Sequence, residues 1–275
     1  MTSLIRNHRI CLPTFMPFLR KRFHKSLTPV RSLVLLLGLF GLSAVPSPGA
    51  QFCGAASFEP SANYGVGNNP NSVVVADFNN DGKNDLATQN TGNVVVLLGT
   101  GAGTFAPPAN FPVSGSPYDV AAGDFNGDGK TDLVAVLENT NKVAIFLGDG
   151  AGGFAAPATF NVGTLPRSVA VGEFNGDGKS DFLIRQDGGQ LSEWLGTANG
   201  SFVNNGPTAG ISFTTDWKVA AIGDFNGDGF DDFVLRNDNG WVTDWLGTAT
   251  GSFVNNGANF STFLAPSWHV QDDFL

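Results

Sequence analysis

The segment "GDFNGDGKTD", residues 123–132, decides the fold, because its layout recurs three more times in the chain. The other copies read "ADFNNDGKND" (76–85), "GEFNGDGKSD" (172–181) and "GDFNGDGFDD" (223–232). Successive copies are 47, 49 and 51 residues apart, counted from their first acidic residues, Asp77, Asp124, Glu173 and Asp224. A repeat of this length is typical of a propeller blade or a solenoid coil.

A second shared segment follows each acidic loop and supports the same repeat. It reads "LGTGAGTF" (98–105), "LGDGAGGF" (147–154), "LGTANGSF" (195–202) and "LGTATGSF" (246–253). The chain contains 36 Gly and 24 Phe in 275 residues, which favours a turn-rich β protein over a helical one.

Each repeat reads as four short strands. In the first repeat these are "SVVVADF" (72–78), "DLATQN" (85–90), "VVVLLG" (94–99) and "TFAPPANFPV" (104–113), and the prolines of the last suit an edge strand. The sequence therefore predicts an all-β fold, a β-propeller-like array of four-stranded antiparallel blades over residues 56–275. The array holds four full repeats and partial terminal ones.

The N-terminal residues 1–50 are predicted to be a leader for export. A basic stretch precedes the apolar run "LVLLLGLFGLSAV" (33–45), which is shorter than the roughly 20 residues of a membrane span. Cleavage is expected between Ala44 and Ala56, and the competing interpretation is an uncleaved anchor or a wrongly chosen start codon. The mature protein is then expected outside the cell or at its surface.

Removal of the leader leaves a strongly acidic chain. Eight basic and 24 acidic residues remain, a net charge of −16, which argues against nucleic acid and anionic membranes as partners. Cys53 is the only cysteine left, so no internal disulfide is available.

The acidic loops, residues 77–85, 124–132, 173–181 and 224–232, have the residue types of a cation site. Positions 1, 3, 5 and 9 always carry a side-chain oxygen: Asp77, Asn79, Asp81, Asp85; Asp124, Asn126, Asp128, Asp132; Glu173, Asn175, Asp177, Asp181; and Asp224, Asn226, Asp228, Asp232. Position 7 varies, as expected where only a backbone carbonyl is offered: Lys83, Lys130, Lys179 and Phe230. Glycine at position 6 permits a sharp bend.

Hard oxygen ligands in this number favour Ca²⁺ over the stricter Mg²⁺, and no His or Cys joins them to favour zinc. The simpler interpretation is that Asp, Asn and Gly only make a turn. Four copies with oxygen-bearing side chains at the same four positions favour the metal, so we expect about four calcium ions.

The motif "DFNGDGKTDL", followed by "VAIFLGDGAGGF", resembles the FG-GAP/VCBS repeats related to the blades of integrin α-subunit propellers. The resemblance covers about residues 56–275 and implies calcium at the loop positions given above. It also implies recognition of protein or glycan ligands. Two residues depart from the pattern, Glu173 at position 1 of the third loop and Asn80 in place of glycine at position 4 of the first.

Integrin-like propellers have about seven blades, whereas this chain has four repeats and two partial ones. A closed small propeller, an open arc and a ring completed by a partner all fit the sequence. Self-association of an incomplete ring is among the partner interactions left open.

Catalysis is not expected. After the leader the only histidine is His269, and the remaining acidic residues, among them Glu59, Glu138 and Glu193, show no spacing that marks a catalytic pair. Half of the 24 acidic residues, three per loop, are already assigned to calcium.

The sequence thus predicts a secreted, calcium-binding and non-enzymatic adhesion or recognition module. The alternatives are a purely structural scaffold and an accessory domain of a polysaccharide-active enzyme. Trp217, Trp241 and Trp268 are candidates either for packing or for ligand contact. Trp194 and Trp245 share one repeat position and are expected to pack in the sheets.

Overall fold

The described part of the chain, residues 61–256 and 262–263 of a computed structural model, folds into four antiparallel sheets in sequence order. The predicted leader, the start of the array near residue 56, and Trp268 and His269 lie outside the described residues. Among the described residues, no helix has both the length and the apolar character needed to cross a membrane.

The strands of each sheet are hydrogen-bonded in chain order. The first sheet contains β1 (Val73–Ala76), β2 (Asp85–Asn90), β3 (Asn93–Leu97) and β4 (Ala109–Pro112). The second contains β5 (Pro117–Gly123), β6 (Asp132–Leu137), β7 (Lys142–Phe146) and β8 (Ala158–Asn161), with a 3₁₀ turn at Glu138–Thr140. The third contains β9 (Pro166–Gly172), β10 (Asp181–Gln186), β11 (Gln190–Gly196) and β12 (Phe202–Ser212). The fourth contains β13 (Trp217–Gly223), β14 (Asp232–Asn237), β15 (Trp241–Leu246), β16 (Val254–Asn255) and β17 (Thr262–Phe263), the last of which also pairs with β15.

This architecture confirms the predicted β-propeller-like array of four-stranded blades. The acidic loop joins the first two strands of every sheet, and the glycine-rich turn follows the third strand. The proline-containing β4 is an edge strand, as predicted. The first strand of the first sheet is shorter than predicted, because the chain already bends at Asp77 and Phe78 to enter the loop.

The core lies between consecutive sheets rather than within one. Strand β1 packs against β5, β5 against β9, and β9 against β13. Three apolar clusters fill the junctions; Val94 and Leu133 belong to the first, Val143 and Ile184 to the second, and several large aromatic residues to the third. Each repeat therefore covers the apolar face of its neighbour, as in other repeat proteins.

Phenylalanine pairs mark the three junctions. The phenylalanine at loop position 2 packs edge-to-face on the last phenylalanine of the next repeat's glycine-rich turn. The ring-centroid distances are 5.8, 5.5 and 5.2 Å for Phe78–Phe154, Phe125–Phe202 and Phe174–Phe253. Such pairs add about 0.5–1.5 kcal/mol beyond burial. The fourth equivalent, Phe225, is 53% exposed.

A buried aspartate at position 9 connects each loop to the third strand of its sheet. Each aspartate is fully buried and accepts one backbone N–H from the position-2 phenylalanine and one from the glycine that begins the glycine-rich turn. We call this arrangement the aspartate clasp. The backbone N–H donors are Phe78 and Gly99 for Asp85, Phe125 and Gly148 for Asp132, Phe174 and Gly196 for Asp181, and Phe225 and Gly247 for Asp232.

The clasp also explains why its second donor is always glycine. A Cβ atom built on Gly148 would lie 2.3 Å from the carbonyl oxygen of Thr131, and the three equivalents meet the same obstacle at 2.2–2.6 Å. The opposing atom is backbone, so it does not move aside easily. The glycine therefore permits the close approach of two chain segments.

Replacement of this glycine is expected to destabilise the fold. Gly148→Ala forces a methyl group against Thr131 and weakens the bond to Asp132, and we expect a loss of about 1–3 kcal/mol in the free energy of unfolding. Gly188→Ala is the matched control, because nothing lies within 4 Å of its Cβ position. Urea unfolding of both variants measures the difference, and equal stabilities would contradict the close-approach explanation.

Candidate metal centres

The four acidic loops close in the same way through their position-1 and position-3 side chains. In the second loop, Asp124 Oδ1 and Asn126 Oδ1 both accept the backbone N–H of Asp128, at 3.1 and 2.9 Å. Asp124 Oδ2 accepts the N–H of Gly129 at 2.7 Å. The same convergence on the position-5 N–H occurs for Asp77 and Asn79, Glu173 and Asn175, and Asp224 and Asn226.

Glycine at position 6 makes the predicted bend, with φ between +77° and +91° in all four loops. Position 4 also has a positive φ, and the exceptional Asn80 adopts it at +56°, a conformation that asparagine tolerates. Neither departure from the repeat pattern prevents the turn: Glu173 Oε1 accepts the N–H groups of Gly176 and Asp177 at 2.8 and 3.1 Å.

Position 5 is paired with the lysine at position 7 in three of the loops. The Lys Nζ to Asp Oδ2 distances are 2.6, 3.3 and 3.1 Å for Lys83–Asp81, Lys130–Asp128 and Lys179–Asp177. The Lys83 side chain, foremost by its hydrogen bond, lowers the pKa of Asp81. The fourth loop has Phe230 instead, which offers only its N–H to Asp228. The predicted role of the position-7 carbonyls as ligands stays a prediction.

The position-9 aspartates are buried at the start of the second strand. In the aspartate clasp each of their two carboxylate oxygens accepts one backbone N–H. Burial raises the pKa of Asp132 to about 6 and that of Asp181 to about 7, and in both cases the negative charges of the loop's position-1 and position-5 side chains raise it further. The backbone donors act in the opposite sense. The carboxylates of one loop are thus close enough to repel one another.

The residues fit a hard cation in kind, because each loop offers three carboxylates and an amide oxygen, and each clasped oxygen keeps a second lone pair. The arrangement itself is not an assembled metal centre. Within the described residues, no group of three or more His, Cys, Asp or Glu side chains is placed as one. The structure brings positions 1 and 3 together on one N–H and directs position 9 toward the strands.

Neighbouring loops are joined through position 8. Asp231 Oδ2 accepts the N–H of Glu173 at 2.8 Å, and Asp231 N–H donates to the Glu173 carbonyl, also at 2.8 Å. Ser180 makes the same two contacts with Asp124. The second loop is therefore hydrogen-bonded to the third, and the third to the fourth.

The repeats match a known family over most of the described residues. The model of the FG-GAP-like repeat matches residues 77–135, 124–184 and 173–235, which together span more than half of the chain. The chain belongs to the FG-GAP-like repeat family. Each match begins at one acidic loop and ends in the strand that follows the next acidic loop. The family unit therefore includes a junction between two sheets. No curated protein sequence matches this FG-GAP-like chain significantly.

Solved structures resemble this FG-GAP-like chain in fold. An Agrocybe aegerita lectin, described as recognising non-reducing terminal N-acetylglucosamine, is 18% identical over 69% of this chain and 52% of its own, with a TM-score of 0.51. A protein from Lactobacillus plantarum is 18% identical over 68% of this chain and 56% of its own, with a TM-score of 0.50. The chain thus spans about half the length of these proteins. The likeness to both structures concerns the β fold.

The tryptophans divide into packing and exposed residues. Trp194 and Trp245 stack on Phe182 and Phe233, with ring planes 13° and 7° apart, which confirms the prediction of sheet packing. Trp217 packs in the third junction, while Trp241 is 44% exposed. Of the two described candidates for ligand contact, Trp241 is the accessible one.

Glu193 has a setting that its place in the sequence did not reveal. It is 1% exposed; Oε2 accepts the amide N–H of Asn205 at 3.0 Å, and Oε1 has no hydrogen-bond partner among the described residues. The Asn205 amide also reaches the Thr250 carbonyl of the next repeat at 3.3 Å. Burial, which outweighs the Asn205 hydrogen bond, raises the pKa of Glu193 to about 8, and the charge of Asp181 adds to it.

Alignment of the repeats would have given the signal for this site. The first and second repeats carry the buried Val96 and Ile145 at the position of Glu193, and the fourth carries Asp244. Asp244 repeats the pattern, with Asn256 as its amide donor at 2.8 Å and a buried Oδ1 without a partner in the described residues. Acidic residues at a core position are therefore specific to the last two repeats.

Glu193 is expected to make stability depend on pH. Its pKa is higher in the folded than in the unfolded chain, so its contribution is fully present below about pH 4.5 and is lost as the pH rises toward 8. Glu193→Gln removes this pH dependence. As the pH rises from 4.5 to 8, the free energy of unfolding of the variant should therefore increase relative to that of the wild type, by up to about 1.4 kcal/mol per pH unit. Urea unfolding of both proteins from pH 5 to 8.5 tests this. A difference that does not change with pH would show that Glu193 is not the titrating group.

Proposed function

We propose that the chain is a secreted, calcium-stabilised recognition module that binds protein or glycan ligands and has no catalytic activity of its own. The observation that carries the calcium part is the recurrence of three carboxylates and an amide oxygen at the same four positions of every loop. The recognition part is supported by the FG-GAP-like family and by the fold shared with a lectin.

The residues at positions 1, 3, 5 and 9 of each loop would hold the cation, together with the position-7 carbonyl. When bound, calcium supplies positive charge that offsets the repulsion among the three carboxylates. The position-1 and position-3 side chains are already oriented by their shared N–H donor, and the clasp fixes the position-9 aspartate. The paired lysines at position 7 lie on the position-5 carboxylates, so they compete with a cation in three loops and are replaced by Phe230 in the fourth.

Secretion is supported by the leader-like N-terminus, and an extracellular medium with about millimolar calcium suits loops of modest affinity. A site with a dissociation constant of ~0.1 mM contributes about 1.4 kcal/mol at ~1 mM calcium, and four sites about 5–6 kcal/mol. That is comparable with the whole stability of a domain. Calcium would then provide the stabilisation that disulfides give to many exported proteins.

Ligand contact is proposed at exposed surfaces away from the acidic loops, since the loops are occupied with their own closure. Trp241 is one candidate, because an exposed tryptophan offers a flat apolar face for a sugar or a protein side chain. The Agrocybe aegerita lectin, described as recognising terminal N-acetylglucosamine, makes glycans the first class to screen.

Calcium is expected to raise the melting temperature of the mature chain by roughly 10–20 °C relative to EGTA. The double substitution Asp124→Asn with Asp128→Asn should remove about a quarter of that shift, because one loop in four loses two carboxylates. Asp238→Asn, which changes an exposed carboxylate paired with Lys218, is the matched control and should leave the shift intact. Absence of both a shift and bound metal in metal analysis would overturn the calcium proposal.

Ligand capture is expected to depend on calcium. Glycan-array and pull-down screening of the mature chain should return reproducible ligands in Ca²⁺ and few or none in EGTA, because the array loses stability there. A protein that binds calcium but captures nothing would favour the purely structural scaffold. Turnover of polysaccharides, abolished by replacement of a glutamate outside the loops, would instead show an enzyme.

A further inference from the structure

A cavity of about 280 Å³ opens at the junction between the second and third sheets. It lies between the end of β8 and the β10–β11 hairpin, at the opposite end of β10 from the acidic loop. Its polar lining consists of five uncharged side chains: Asn161, Gln186, Gln190, Ser192 and Asn204. Nothing in the calcium proposal uses these residues.

The residues that line the cavity differ from their equivalents at the other two junctions. Three residues occupy the same place in their repeats, namely Val113, Val162 and Phe213. Each comes directly after the fourth strand of its sheet and donates its backbone N–H to a carbonyl in the turn between the second and third strands, at 3.0, 3.1 and 3.2 Å. At the third junction Phe213 packs on Trp217 and Trp245 and fills the space. At the second junction the residue is the smaller Val162.

At the first junction the space is closed by a leucine. Gln186 and Leu137 are equivalent, since they pair with Pro166 and Pro117 at the start of the preceding strand. Leu137 is fully buried in its apolar cluster, whereas Gln186 lines the cavity. Among the three described junctions, only the second thus combines a small apolar residue, Val162, with a glutamine, Gln186.

Three of the polar side chains that line the cavity keep unused hydrogen-bonding capacity. Gln186 Nε2 uses one N–H on the Val162 carbonyl, at 3.3 Å, and retains another. Asn204 Oδ1 accepts the N–H of Gly206 at 2.7 Å, which leaves its amide nitrogen as a double donor. Ser192 Oγ accepts the indole N–H of Trp194 at 3.4 Å and keeps its own hydrogen to donate.

The rest of the lining is apolar or glycine. Val162 and Leu191 line the cavity beside the amides. A Cβ atom on Gly163 would lie 2.5 Å from Gln186 Nε2, so any larger residue would displace that amide.

We propose that this cavity binds a single neutral sugar residue. The lining offers both donors and acceptors, which sugar hydroxyl groups need, and its apolar side chains suit the C–H face of a sugar ring. No Asp, Glu, Lys or Arg lines the cavity, so charged ligands find no counter-ion there. The volume is at the lower end of ligand pockets and suits one ring. This inference rests on the proposed recognition function and names its ligand class and place.

The test is a titration of the ¹⁵N-labelled mature chain with methyl glycosides of neutral hexoses and N-acetylhexosamines, followed by amide NMR shifts at millimolar sugar. Glucuronic acid and glucosamine are the charged comparisons. We expect at least one neutral sugar to shift the amides of Gln186, Ser192 and Asn204, and the charged sugars to bind at least about tenfold more weakly.

Gln186→Leu places at the cavity the side chain that the second repeat carries at Leu137, and it should weaken the sugar at least about tenfold. Asn110→Leu changes an exposed amide on β4 and is the matched control, with unchanged binding expected. Ser192→Ala, which copies Ala144 of the second repeat, repeats the test if Gln186→Leu does not fold.

The outcomes separate the cavity from the recognition function. Sugar binding that survives both cavity variants would overturn this site and leave recognition of glycans standing. Failure of every neutral sugar to bind would overturn the sugar site, while ligand capture in the wider screen would then decide recognition separately.

Discussion

The buried aspartate at loop position 9 is the constraint on which each repeat depends. It receives N–H groups from the beginning of its loop and from the end of the third strand, so a single carboxylate fixes three parts of a sheet at once. A buried backbone N–H without a partner costs about as much as a lost hydrogen bond, and a charged acceptor for two of them is stronger than neutral ones. The glycine and phenylalanine of the repeat are the residues that this arrangement requires.

Most of the fold follows from the sequence, because the repeat itself carries the information. Strand β2 begins and ends as the pattern predicts, and the position-6 glycines make the predicted bend. These features depend on local chemistry that is the same in every copy, so four copies reinforce each other. The family match rests on the same residues.

The chemistry at the junctions could not be predicted in the same way. The position-9 aspartate was interpreted as a calcium ligand, and nothing in a single loop indicates that both its oxygens also face backbone donors from elsewhere in the sheet. Glu193 and Gln186 were no easier to interpret, since their settings depend on what the neighbouring sheet places opposite them. The sequence signal for such residues is a repeat that carries a polar residue where another repeat carries an apolar one. Glu193 stands at the position of Val96, and Gln186 at the position of Leu137.

The edge-to-face phenylalanine pairs have a consequence for how the protein assembles. Every contact described above connects segments of one repeat or of two adjacent repeats, so ordering of one repeat requires no distant part of the chain. Such a topology lowers the entropy cost of folding and lets structure grow stepwise. During synthesis, each new glycine-rich turn would supply the phenylalanine that packs on the preceding repeat. The repeats would then become stable in sequence order, each when the next one is complete.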